Sequence, residues 1–173
     1  GEHLIDCSIG LCLTLLDTGK LGQVKELVSL CQGISDEVFG VGNYRTVDAL
    51  YCTSKFKLAT NDLLGARRAV QAAVVVLVSS RRTHHPKYAE ALRICSEIDL
   101  KCGMFVQAKI RINKCINIWR ARLDEHHPFL VEGRIFRAKI LLCMAATKTV
   151  KTELMLLEKI VADHFGPCHP LMA

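Results

Sequence analysis

Residues 100–108 read LKCGMFVQA, and this stretch decides the fold because it recurs every 42 residues along the chain. It returns, with variation, as LDTGKLGQV at 16–24, LATNDLLGA at 58–66 and LCMAATKTV at 142–150. A second phrase keeps the same period as His85-Pro86, His127-Pro128 and His169-Pro170, and Asn43-Tyr44 stands at the preceding phase. A fixed period of this length is typical of stacked supersecondary units, none of which can bury its apolar face alone.

The third copy shows how one unit is built. Pro86 suits the first turn of a helix, where its missing N–H costs nothing, and apolar residues with helical spacing follow as far as Leu100. Gly103 ends this helix, because glycine tolerates the left-handed conformation. A second helix is predicted from about Phe105 to Leu123. Each unit is therefore a helix, a tight turn, a second helix and a loop.

Aligning the four copies gives columns of like residues. A small column in the first helix holds Cys12, Ser54, Ser96 and Ala138; the turn column holds Gly19, Asn61, Gly103 and Ala145; in the second helix, a small column holds Val24, Ala66, Ala108 and Val150, and an aliphatic column holds Val28, Val70, Ile112 and Leu154. We predict repeats at 1–42, 43–84, 85–126 and 127–168, with a fifth beginning at 169. Because the chain starts at Gly1 and stops just past His169-Pro170, we expect an excerpt of a longer array.

The composition fits an aliphatic helical core, since 50% of the residues are hydrophobic and only 6% are aromatic. The nine cysteines are odd in number, and no signal peptide is visible. Several cysteines occupy apolar helical phases and are predicted to be buried free thiols: Cys31, Cys52, Cys95, Cys115 and Cys143. This favours a reducing, cytoplasmic location. The longest apolar run, 72–78, is far shorter than the roughly 20 residues that span a bilayer.

Helix-turn-helix units with a small residue in the first helix, glycine at the turn and alanine five residues later resemble tetratricopeptide repeats (TPRs). The 42-residue period with Gly166-Pro-Cys-His169-Pro170 resembles the longer TPR-like type of kinesin light chains. The resemblance implies an all-α, right-handed superhelical solenoid of about four repeats. First helices would line its concave groove and second helices its outer wall, and the groove would bind peptides or partner helices without catalysis.

Three pairs at unit boundaries could ligate zinc, which prefers Cys and His: His84-His85, His126-His127 and Cys168-His169. They share one repeat phase, so stacking at roughly 10 Å per helix layer keeps them apart. We interpret them as helix caps and loop packing, and predict no metal and no cofactor. A Cys-His catalytic pair would also need an oxyanion site, for which the pattern offers no candidate, and no enzymatic activity is predicted.

Basic residues favour a second hypothesis. The net charge of +6 is modest and both signs are interspersed, but second helices carry candidate nucleic-acid contacts at Arg67-Arg68, Arg81-Arg82, Lys109, Arg111, Lys114, Arg120 and Arg122. Second helices are expected to face outward, so solvated Lys and Arg side chains are the default interpretation of these residues. Trp119 lies among apolar neighbours, which favours a core position over a base-stacking role.

The predicted groove has two solvent-facing positions per first helix, four residues apart: Ile9 and Leu13, Tyr51 and Lys55, Arg93 and Glu97, Ile135 and Lys139. A charged centre containing Tyr51 suits an acidic peptide, with Lys55 and Arg93 as anchors and Lys139 assisting. A merely solvated inner face is the alternative, as is internal pairing of Arg134 and Arg137 with Glu132 or Glu97.

The sequence thus predicts a non-catalytic scaffold that binds other proteins in a larger cytosolic or cytoskeletal assembly, such as a microtubule or ciliary complex. Two alternatives stay open. One is a nucleic-acid-associated repeat protein that uses its outer basic helices. The other is a purely architectural segment whose faces are buried by neighbouring subunits.

Overall fold

The computed structural model describes residues 2–40 and 42–165, among which there is no strand. The chain divides into two compact units, 1–83 and 84–173. In unit 1 the helices are α1 Glu2–Asp17, α2 Leu21–Phe39, α3 Val47–Ala59 and α4 Leu63–Ser79, with one 3-10 turn at Tyr44–Thr46 before α3. In unit 2 they are α5 Pro86–Lys101, α6 Phe105–Arg120, α7 Pro128–Cys143 and α8 Thr147–Phe165. None of the described helices is long and apolar enough to cross a membrane.

Each helical hairpin turns through a left-handed residue, as the sequence predicted. The φ angles in the turn column are 71° at Gly19, 63° at Asn61, 74° at Gly103 and 58° at Ala145. The next residue closes the turn, because its N–H donates to a carbonyl five residues back, as in Met104 to Asp99 at 2.8 Å. The turn prediction is therefore confirmed in all four copies, including the two that have Asn61 and Ala145 in place of glycine.

The boundary histidines cap helices. His85 Nδ1 accepts a hydrogen bond from the backbone N–H of Lys87 at 3.2 Å, and His127 Nδ1 accepts one from that of Phe129 at 3.2 Å. At the same phase, Asn43 Oδ1 accepts from the N–H of Arg45 at 3.0 Å. Capping is thus confirmed for His85 and His127. Cys168 and His169 lie outside the described residues.

Small residues allow close helix contacts within both units. Ser54 Oγ donates to the carbonyl of Ala66 at 2.9 Å in unit 1, and Ser96 Oγ donates to that of Ala108 at 2.7 Å in unit 2. All four residues are buried, which confirms the predicted small columns. At Gly133, an added Cβ would lie 3.0 Å from the Trp119 ring, so this glycine lets α7 approach α6.

Thiols contribute to both cores. In unit 1 Cys12, Cys31 and Cys52 pack with Val24 and Val28, and the Cys12 and Cys31 sulfurs are 3.9 Å apart. Burial raises the pKa of both Cys12 and Cys52 to about 12, because the neutral thiol is favoured away from water. In unit 2 Cys95 and Cys115 are buried, as is Trp119, which confirms its predicted core position.

One expectation about apolar residues near the end of unit 2 is wrong. Cys143 is exposed, because it occupies the phase of Lys101, outside the buried stripe of its helix. Leu154 is also exposed, and Glu153 is buried in its place.

Candidate functional site

The candidate site is the predicted first-helix face, a name we use for the predicted residue pair on each first helix, in unit 1 and in unit 2 separately. The pairs are Tyr51 and Lys55 on α3 in unit 1, Arg93 and Glu97 on α5, and Ile135 and Lys139 on α7 in unit 2. The two members of each pair are one helical turn apart and therefore share a face of their helix.

In unit 1 the face is more buried than expected. Tyr51 was predicted to face solvent, and this is wrong: the residue is only 6% exposed. Its helix packs against both α1 and α2, and a tyrosine ring gains free energy when its apolar faces are covered. Ile9 and Leu13 are half-buried and pack against the thiol-containing core. Lys55 is half-buried, and its charge offsets a small part of the burial that raises the pKa of Cys52.

On α5 the charged residues form a fixed cluster. The Arg93 guanidinium makes two hydrogen bonds of 2.9 Å to the Glu90 carboxylate and lies 3.6 Å from Glu97. Burial alone would lower the pKa of Arg93, but the hydrogen bonds and charge of the two carboxylates outweigh it and raise the pKa. The cluster therefore carries one net negative charge, with the Arg93 side chain 20% exposed.

On α7 the two members of the face differ. Ile135 is half-buried and packs against the core cluster of Val131, Leu157, Ile160 and Val161. Lys139 is exposed. The structure thus brings Arg93 together with Glu97, places Ile135 partly in the core and leaves Lys139 as an exposed cation.

Arg134 and Arg137 do pair internally, but the predicted partners, Glu132 and Glu97, are wrong. Both guanidinium groups converge on Glu153 of α8, Arg137 through a hydrogen-bonded ion pair and Arg134 at 3.9 Å. Arg134 and Glu153 are both more than nine-tenths buried. No local spacing rule connects residues 16 positions apart on different helices, so sequence reasoning missed Glu153.

Several basic residues of the nucleic-acid hypothesis have intramolecular roles. Arg111 forms a 2.6 Å ion pair with the fully buried Asp99. Lys114 lies 5.4 Å from the centre of the Tyr88 ring, and the Arg82 guanidinium lies 3.9 Å from that of Tyr44. These contacts explain why the residues are basic without invoking a polyanion.

Second helices also expose large apolar side chains: Leu64, Val75 and Val78 on α4, Val106 and Ile110 on α6, and Leu154, Met155 and Leu156 on α8. Val75 is 67% exposed and Met155 is 63% exposed. Large apolar side chains grouped on a surface are a mark of interaction sites.

Among residues 2–40 and 42–165, no three His, Cys, Asp or Glu side chains are arranged to hold a metal ion. The rings of His126 and His164 stack with centres 3.6 Å apart, which makes a pair of potential ligands at most. The structure assigns His85 and His127 to helix capping.

The helical hairpins match those of known repeat structures. No family model matches the chain, and no curated protein matches it. A crystal structure of nearly identical TPR-like repeats, from a Podosopora anserina protein described as a kinesin light chain, superposes with a TM-score of 0.77. It shares 13% identity, over 99% of this chain and 81% of that one. A single-substitution variant of it gives a TM-score of 0.77 at 14% identity, over 98% and 80% of the two chains.

The chain is therefore an all-α repeat solenoid. More specifically, its repeats have the TPR-like fold seen in those kinesin-light-chain structures, which confirms the predicted repeat type. Folds of this type are in general non-catalytic scaffolds for protein–protein interaction.

Proposed function

We propose that this chain is a scaffold whose first-helix face binds a peptide or helix of a partner protein. The observation that carries the proposal is the Glu90–Arg93–Glu97 cluster, in which three charged groups are held in fixed positions along α5 and stay partly exposed. Preorganised polar groups lose little entropy when a partner binds them. Lys139 supplies an exposed positive charge on the same predicted face.

This arrangement changes which residues suit an acidic partner. Two carboxylates already surround Arg93, so an additional carboxylate would be repelled there by one net negative charge. We assign the acidic-peptide contacts of this proposal to Lys139 and Lys55. The α5 cluster is better suited to a lysine or arginine of the partner.

Photo-crosslinking tests the proposal. A benzophenone amino acid placed at Glu97 or Lys139 is expected to capture the same partner protein, identified by mass spectrometry. The same probe at Asn117, an exposed position on the second helix α6, is the matched control. Lys139→Glu should weaken capture at Glu97 about tenfold. Capture only at Asn117 would contradict the proposal.

A second candidate function is the architectural one, and the exposed apolar residues of α4, α6 and α8 favour it. Here neighbouring subunits would cover the second helices. Crosslinking confined to positions such as Asn117, with an assembly that resists dilution, would support this function in place of the first.

We propose a cytoplasmic, microtubule-associated or ciliary setting, which the likeness to kinesin-light-chain repeats and the free described cysteines support. Immunofluorescence against tubulin tests it. A signal in the secretory pathway would contradict it.

A further inference from the structure

Unit 1 contains a cleft that the first-helix face does not include. It has a volume of about 440 Å³ and lies between α2, α3 and α4. We call it the α4 cleft and define it by six of its lining residues: Gln32, Leu50, Lys57, Leu64, Arg68 and Ala69. All of them belong to unit 1.

The cleft exists because repeat two lacks side chains that fill the same position in the other repeats. In repeat one the equivalents of Lys57 and Ala69 are Leu15 and Leu27, which pack against the apolar core. In repeat three they are Asp99 and Arg111, which form an ion pair of 2.6 Å.

In repeat four the equivalent of Ala69 is Glu153, which Arg137 holds. In repeat two the position has only the methyl group of Ala69. Repeats one, three and four thus have a larger side chain at this phase, whereas repeat two has the cleft there.

The charge at this phase is also reversed in repeat two. Where repeat three has the Asp99 carboxylate that holds a guanidinium, repeat two has the Lys57 ammonium. Lys57 Nζ lies 3.0 Å from Asp62, and that carboxylate also accepts the backbone N–H of Gly65 at 2.8 Å. An ammonium group has three N–H donors, so Lys57 keeps donors for a second acceptor.

The exposed guanidinium of Arg68 gives the cleft a second positive charge, and Leu50 and Leu64 give it apolar walls. Among the lining residues, the two cations Lys57 and Arg68 stand against one carboxylate, that of Asp62. An incoming carboxylate with an aliphatic stem complements this lining in both charge and polarity.

The cleft and the first-helix face lie on different sides of α3. The cleft uses Leu50 and Lys57, seven residues apart, whereas the face uses Tyr51 and Lys55. At about 100° per residue, these two pairs point in directions separated by roughly 130°. A ligand in the cleft would therefore not occupy the first-helix face of α3.

We propose that the α4 cleft binds an aspartate or glutamate side chain presented by an extended segment of a partner protein. The carboxylate contacts Lys57 and Arg68, and aliphatic neighbours of the acidic residue lie on Leu50 and Leu64. The partner segment thus supplies the charged group that Arg111 and Glu153 supply within repeats three and four.

Nuclear magnetic resonance with two short peptides tests this proposal. The 15N-labelled protein is titrated with acetyl-Leu-Glu-Leu-amide and with the matched acetyl-Leu-Gln-Leu-amide, which lacks the charge. We expect saturable shifts of the backbone amide signals of Thr53, Lys57 and Ala69, with at least tenfold weaker binding of the glutamine peptide. Equal binding of both peptides, or the absence of saturable shifts at these residues, would overturn the proposal.

Variants separate this cleft from the rest of the exposed surface. Ala69→Leu fills the cleft and should abolish binding, whereas Ala72→Leu, an exposed position on the same helix, should not change it. Arg68→Glu alters only an exposed residue and should weaken binding at least tenfold, even if Ala69→Leu disturbs packing. Lys101→Glu reverses an exposed charge in unit 2, outside the cleft, and should leave the peptide affinity unchanged. Binding that survives both cleft variants, or that is lost with Lys101→Glu, would refute the assignment.

Discussion

At position 145 an alanine adopts the left-handed conformation that glycine adopts at positions 19 and 103. This conformation costs a residue with a Cβ roughly 1 to 2 kcal/mol. The hairpin of α7 and α8 forms nonetheless, because its turn closes with the same hydrogen bond five residues back, from Ala146 N–H to the Leu141 carbonyl at 3.0 Å. Position 145 is thus a local weak point that the rest of the hairpin offsets.

The first prediction concerns this turn position. Ala145→Gly should stabilise the protein by about 0.5 to 1 kcal/mol, because it relieves the backbone cost. Gly103→Val should destabilise it by about 1 kcal/mol or more, although an added Cβ would meet no neighbour there. Urea unfolding measures both. Gly22→Ala, within α2, is the control and should stabilise by about 0.5 to 1 kcal/mol. A gain in stability for Gly103→Val would contradict the argument.

The second prediction concerns the buried thiols of unit 1. Burial raises the pKa of Cys52 from about 9 to about 12. The folded state therefore binds the thiol proton more tightly than the unfolded state does. This contribution to stability is fully present below pH 9 and is lost as the pH rises through 12. The free energy of unfolding should fall between pH 9 and 11, and it should fall less steeply in Cys52→Ala. Parallel pH curves for the two proteins would contradict this explanation.

At the scale of single elements, helix ends are set by short-range chemistry. His85, His127 and Asn43 each place a side-chain acceptor on the N–H two residues further along. Because this geometry needs only an acceptor at the right phase, a histidine and an asparagine can serve equally.

The third prediction follows from that equivalence. His85→Ala should lower stability by about 1 kcal/mol, because the first turn of α5 loses its cap. His85→Asn should stay within about 0.5 kcal/mol of the original, because asparagine makes the same contact at position 43. Thermal unfolding monitored by circular dichroism distinguishes these results. An Asn variant as unstable as the Ala variant would show that the histidine ring has another structural role.

The fourth prediction concerns the contact between α7 and α8. Glu153→Ala should destabilise the protein by about 3 to 5 kcal/mol, because it leaves the buried Arg134 and the partly buried Arg137 without their carboxylate. Arg134→Leu should cost less than about 1.5 kcal/mol, since Leu50 and Leu92 occupy the equivalent position in repeats two and three. Denaturant midpoints give both values. Similar losses for the two variants would mean that packing, and not charge pairing, holds these helices together.

The sequence predicted helices, turns and caps better than it predicted which side chains contact each other. Turns, caps and small columns depend on backbone conformation or on direct helix contact, and each constraint returns with the period, so residues such as Gly103 and Ser96 were identifiable. The burial of Tyr51 and the pairing of Glu153 depend on which neighbouring helix covers each side chain, and spacing alone does not give that. The α4 cleft could be predicted only in part. The column Leu27, Ala69, Arg111 and Glu153 already contained its signal, but the structure was needed to show that the space stays open.

On the scale of the whole molecule, the net charge of +6 is unevenly divided. Unit 2 contains 14 basic and 9 acidic residues, whereas unit 1 contains 9 and 8. In unit 2, four arginines pair with four carboxylates: Arg93, Arg111, Arg134 and Arg137 with Glu90, Glu97, Asp99 and Glu153. Much of the guanidinium charge is therefore neutralised internally.

The fifth prediction is that the protein binds generic polyanions weakly. Fluorescence anisotropy with a labelled single-stranded RNA should show negligible binding at about 150 mM salt, because Arg111 and Lys114 of α6 already contact Asp99 and the Tyr88 ring. Lys114→Glu should change this result little. Steep salt-dependent binding that disappears in Lys114→Glu would instead support the nucleic-acid alternative.

The positions of the cysteines allow the unfolding of each unit to be followed by alkylation. Cys7, Cys102 and Cys143 are exposed and should alkylate at once, whereas Cys12, Cys31 and Cys52 in unit 1, and Cys95 and Cys115 in unit 2, are shielded. A brief pulse of iodoacetamide, followed by peptide mass spectrometry, would therefore show when the buried cysteines of each unit become exposed. Without any introduced label, such a pulse would reveal whether the two units melt together or one after the other.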